Sequence, residues 1–134
     1  VKQFYVGGYR ITIDTECKFA YIPASGCIRF SEVSKNYGVY INLPKISNYK
    51  LVGVKTHITQ NSATAGRPIK VDIISADDTN FQIDEMNTSR VTNSYDLSGK
   101  TSSQYQYSIY IHGTNTTEAN FDLTGIDLIY VLDR

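Results

Sequence analysis

Apolar residues in this chain recur at every second position, in short runs, over most of its length. Tyr9, Ile11 and Ile13 alternate with Arg10, Thr12 and Asp14. Tyr37, Val39, Ile41 and Leu43 alternate with Gly38, Tyr40 and Asn42. Ile69, Val71 and Ile73 alternate with Lys70 and Asp72, and Tyr105, Tyr107, Ile109 and Ile111 with Gln104, Gln106, Ser108, Tyr110 and His112. Successive side chains of a strand point to opposite faces, so this period marks strands with one buried and one wet face, as in antiparallel sheets. Helical spacing is not sustained over any ten-residue window, and 31–37 and 84–89 leave room for single turns at most. Eight to ten short strands separated by polar turns predict an all-β antiparallel sandwich, jelly-roll-like in arrangement. A length of 134 residues suits one domain, 1–134. The chain starts at Val1, so the expectation is a fragment or processed product of a longer protein. The segment Ile126 to Leu132 is almost continuously apolar and is expected to be a central strand covered on both faces.

Cys17 and Cys27 invite a disulfide, but local pairing argues against one. Pro23-Ala24-Ser25-Gly26 reads as a turn. Pairing Ile22 with Cys27 sets Tyr21 opposite Ile28 and Phe19 opposite Phe30. Cys17 then stands opposite Glu32, roughly 16 Å along the strand from Cys27. A disulfide spans at most about 7 Å between Cα atoms, so two free thiols are expected, as suits a reducing cytoplasm.

Charge is balanced, with 13 basic and 13 acidic side chains, and no basic stripe suggests nucleic acid. The chain lacks an apolar run long enough for a membrane helix, and it does not open on a signal peptide. Motifs for serine, zinc, redox or nucleotide chemistry do not occur, so a non-catalytic domain without cofactor is expected. His57 and His112 fall within strands, away from any nucleophile or metal motif. Asp72, Asp77, Asp78, Asp84 and Glu85 read as solvated charges, since glycosidase carboxylates must face each other about 5–10 Å apart across a cleft. Asp77, Asp78 and Asn80 form a calcium candidate in a stretch whose ordinary role is a turn. Asn87-Thr88-Ser89 and Asn115-Thr116-Thr117 match the glycosylation pattern and read as loop chemistry.

Binding fits better than catalysis. The chain has 11 Tyr and no Trp. Tyrosine pairs an apolar ring with a hydroxyl, and sugar recognition combines aromatic faces with planar amide or charged groups. The wet face carrying Gln104, Gln106, Ser108, Tyr110 and His112, with Tyr40 and Asn42 on another strand, could form a shallow saccharide site. The competing reading makes these solvated or subunit-contact positions.

The final strand Gly125 to Leu132, the polar loop Gly113 to Asn120 before it and the mid-chain strand Ile69 to Ser75 resemble the C-terminal head domains of receptor-binding tail proteins of phages that infect Gram-positive bacteria. That resemblance implies a jelly-roll head, a homotrimer, a host cell-wall saccharide as partner and a place on the virion tail after assembly in the bacterial cytoplasm. The alternatives are a carbohydrate-binding module of a secreted, extracellular enzyme, and a structural virion or fibre subunit that binds no sugar.

Overall fold

In a computed structural model, which describes residues 2–60, 67–84, 86–87 and 93–133, the chain is an all-β sandwich. Eleven strands lie among these residues: β1 Lys2–Val6, β2 Tyr9–Ile13, β3 Lys18–Ile22, β4 Cys27–Val33, β5 Gly38–Asn42, β6 Tyr49–Thr59, β7 Ile69–Ile74, β8 Met86–Asn87, β9 Asn93–Asp96, β10 Ser108–Gly113 and β11 Ala119–Leu132. They form a six-stranded sheet, β1-β2-β5-β10-β7-β8, and a five-stranded sheet, β3-β4-β11-β6-β9, with every pairing antiparallel. The chain passes repeatedly from one sheet to the other, as jelly-roll arrangements do.

The alternation explains the layers. Ile11, Ile13, Val39, Ile41, Val71, Ile73, Ile109 and Ile111 all turn inward from the six-stranded sheet and are buried. Phe30, Val54, Ile58, Phe121 and Leu123 meet them from the other sheet, and Phe30 stacks on Phe121 with ring centroids 5.2 Å apart. The β3–β4 hairpin has the register expected from its apolar face, Ile22 opposite Cys27 and Phe19 opposite Phe30. Cys17 belongs to the core, its Sγ 3.5 Å from Glu32 O. Cys27, also buried and free, sits outside that core with its Sγ 3.1 Å from Ser25 Oγ.

Three expectations are corrected. β11 is central in its sheet but covered on one face only: Ile129 is 60 % exposed. Residues 34–37 make no helical turn; they link β4 to β5 across the two sheets. Gly113 donates to Ser34 O at 2.9 Å there, and a Cβ at Gly113 would come within 2.8 Å of Ser34 Cα, so the two crossovers meet only because this residue has no side chain. The strand around Ile109 starts at Ser108, so Gln104 and Gln106 precede it. Tyr107 is buried and donates to Asp78, and the Gln106 side chain bonds the Leu43 and Tyr107 carbonyls, which keeps 104–107 out of the strand, with a turn at 103–104. Residues 61–66, together with Glu85 and 88–89 of the first glycosylation match, lie outside the described residues.

Candidate ligand-binding face

The outer face of the six-stranded sheet is set by register. Its side chains form rows across the strands: Tyr5, Arg10, Asn42, Ser108 and Ile74; then Gln3, Thr12, Tyr40, Tyr110 and Asp72; then Gly38, His112 and Lys70. Five of the residues singled out from sequence, Tyr40, Asn42, Ser108, Tyr110 and His112, therefore share one surface. Gln104 and Gln106 do not join it. Gln104 is exposed in the turn, and the Gln106 amide is spent on backbone carbonyls.

The centre of the face is an aromatic stack. Tyr110 lies on Tyr40 with centroids 4.2 Å apart and 12° between planes, and on His112 at 4.7 Å and 19°. Gly38 makes room for it, because a Cβ there would fall 2.7 Å from Tyr110 Cε1 and 2.3 Å from Ile111 O. Burial first, then the Tyr40 hydroxyl, then the Asp14 and Asp72 carboxylates push the Tyr110 hydroxyl well above its usual 10.0. As the middle ring of three, Tyr110 presents its edge rather than an open face.

His112 and Asp72 are buried beside this stack. His112 Nε2 lies 3.1 Å from Asp72 Oδ2, and its Nδ1 lies 2.7 Å from Gly113 O. Asp72 Oδ1 is buried without a hydrogen-bond partner.

Sequence reasoning missed the open part of the face. Tyr5 is 73 % exposed and stands opposite Arg10 across the β1–β2 hairpin. The tight turn between these strands uses Gly7 and Gly8, both at positive φ (55° and 87°), a conformation that glycine adopts without strain. Asn42 fixes the guanidinium: with its amide nitrogen donating to Ser108 Oγ at 2.8 Å, its oxygen accepts from Arg10 Nε at 3.0 Å and from Nη2.

Asp77, Asp78 and Asn80 act as turn chemistry. Asp77 Oδ1 accepts from Ser75 Oγ at 2.8 Å and Gln106 N at 3.3 Å. Asp78 accepts from Asn80 N at 3.1 Å and from the Tyr107 hydroxyl, and the Tyr107 hydroxyl is pushed far up by burial and by that bond. Among the described residues no group of three or more His, Cys, Asp or Glu side chains stands close enough to hold a metal ion.

A concavity of about 380 Å³ opens elsewhere, between the sheet edges formed by β1–β2 and β3–β4. Phe4, Tyr9, Phe19, Ile28, Leu123 and Ile126 line it, and no charged side chain does. It lacks the planar charged and amide groups that bind sugar hydroxyls.

No family model matches the chain, and no curated protein matches it in sequence. Among solved structures it is similar to a xylanase 10C variant from Cellvibrio japonicus solved in complex with xylopentaose, with a TM-score of 0.60 at 9% identity, over 95% of this chain and 28% of that one. At that identity the likeness shows the fold: an antiparallel β-sandwich that spans less than a third of the larger protein.

Proposed function

We propose that this domain binds a polysaccharide chain along the outer face of its six-stranded sheet and does not cleave it. One observation carries the reading: a single solvent-facing surface presents an open aromatic ring (Tyr5), an oriented guanidinium and amide (Arg10, Asn42) and a stacked ring pair (Tyr40, Tyr110). Rings supply apolar faces for sugar C–H groups and the planar polar groups pair with hydroxyls. The similar xylanase structure holds a xylopentaose, which supports a polysaccharide as the ligand class.

The test is native affinity electrophoresis through gels containing single soluble polysaccharides, xylans included. Retardation is expected in at least one gel. Tyr5→Ala and Tyr40→Ala should each weaken it about two- to tenfold, the range an aromatic contact of about 0.5–1.5 kcal/mol supports. Unretarded migration in every gel rejects the reading.

A second setting for the same face is a phage tail head that binds host wall saccharide as a homotrimer. The observation favouring it is the exposed Ile129, Val131 and Leu132 on β11, which a neighbouring subunit would cover. Light scattering decides: a trimer supports the tail setting, and a monomer that still binds polysaccharide leaves the enzyme-linked module.

A further inference from the structure

Arg10 is an exposed guanidinium that has no carboxylate partner among the described residues. Arg29, by contrast, spends Nε and Nη2 on Asp122 at 2.8 and 3.0 Å. Arg10 directs the same two nitrogens at a neutral amide oxygen, that of Asn42, which Ser108 holds in place. A guanidinium carries five N–H donors in a rigid plane. With Nε and the inner Nη2 hydrogen used on Asn42, the end-on edge made by Nη1 and the outer Nη2 hydrogen has no partner among the described residues. That edge has the spacing of a carboxylate and forms two parallel charge-assisted hydrogen bonds with one. Tyr5 lies across from Arg10 on the neighbouring strand, and Tyr40 flanks Asn42 at the diagonal position.

A neutral sugar needs hydrogen-bond donors and acceptors, which amides and hydroxyls supply. It gains little from a full positive charge held with its bidentate edge unpartnered. An anionic sugar gains both charge and geometry, in a molecule whose overall charge is zero and so offers no general attraction for polyanions. We propose that the ligand of this face is a uronic-acid-containing polysaccharide, with Arg10 receiving a sugar carboxylate end-on and Tyr5 supporting the same sugar ring. This rests on the polysaccharide reading above and names the class of sugar within it.

The experiment uses polygalacturonate and glucuronoxylan beside the same polymers after reduction of their carboxyl groups, with dextran sulfate as a second anion, in affinity gels and by calorimetry. Binding to at least one uronate polymer is expected to exceed that to its reduced form about tenfold or more. Arg10→Gln should remove that preference, and Arg10→Lys, which keeps the charge and loses the fork, should restore only part of it. An unchanged melting temperature in both variants separates this effect from misfolding. Equal binding to native and reduced polymers overturns the uronate inference and leaves the polysaccharide reading standing. Equal or tighter binding to dextran sulfate also overturns it, because the attraction is then charge alone. Absence of binding to every polymer overturns both.

Discussion

His112 shows how one residue can satisfy a pattern for binding and yet serve the fold. Its place on the wet face of the alternation through β10 marks it, with Tyr110, as a candidate ligand contact. The structure also ties it to the fold. His112 is 6 % exposed, stacks on Tyr110 and meets Asp72 at 3.1 Å. Asp72 Oδ1 already has no partner, so removing the imidazole strips the remaining hydrogen bond from a buried carboxylate. Breaking a buried pair by deleting one member costs about 3–5 kcal/mol, mostly through the group left behind. His112→Ala is therefore expected to destabilise the domain by about 3 kcal/mol in urea unfolding. Asp72→Asn, which keeps shape and hydrogen bonding, should lose much less. Wild-type stability in His112→Ala would return the residue to the ligand side of the face.

At the scale of strands, what could be read from sequence was local and what could not was distant. The β3–β4 register followed from a four-residue turn and one apolar face, because a one-residue slip would have moved Phe30 out of the core. The rows of the binding face depend on pairings between residues far apart in sequence, such as Tyr40 with Tyr110 and Thr12 with Tyr40. Alternation reports that a side chain faces outward and not which strand lies beside it, so Tyr5 and Arg10 went unjoined to Asn42. Gln104 and Gln106 fall short of the strand because the Gln106 amide is held by the Leu43 carbonyl, sixty-three residues away, a bond that periodicity does not reveal. The sandwich edge next to β1 depends on a similar distant contact. Phe4 of β1 stacks on Phe19 of β3 at 4.2 Å and 16°, joining the two sheets beside the apolar cleft. A double-mutant cycle with Phe4→Ala and Phe19→Ala should give a coupling of about 0.5–1.5 kcal/mol. A coupling near zero would mean that the edge is closed by the sheets themselves, not by this pair.

Across the whole molecule, the ionisable groups with raised values share one sign. Burial, followed by Asp14, Glu16, Glu32 and Glu118, pushes the Cys17 thiol from its usual 9.0 to about 12. Burial, followed by Tyr9, pushes Tyr130 to about 12, and Tyr107 and Tyr110 go further up. In each case the folded state holds the proton to a higher pH than the unfolded chain does. Stability then falls with rising pH wherever the unfolded chain has lost protons that the folded one keeps. These groups contribute nothing below their usual values of 9.0 and 10.0, and their penalty grows as pH climbs toward their folded values. On the acid side, Asp96 and Asp133 are held below their usual 3.8 by hydrogen bonds from Ser98 and Ser103, so they favour the fold above that pH and cease to do so as pH drops through their folded values. Both are at the surface, where solvent screens such gains. The alkaline limb should therefore be the steeper one. Urea midpoints measured at pH 5, 7, 9 and 10.5 are expected to be nearly level up to about 9 and to decline clearly by 10.5. The fall should be smaller in Tyr130→Phe, which removes one of the ionising hydroxyls. A midpoint that holds from 9 to 10.5 would mean that these hydroxyls and the thiol ionise in the fold as readily as in the unfolded chain, and that the burial of Tyr107, Tyr110 and Cys17 is not what their packing implies.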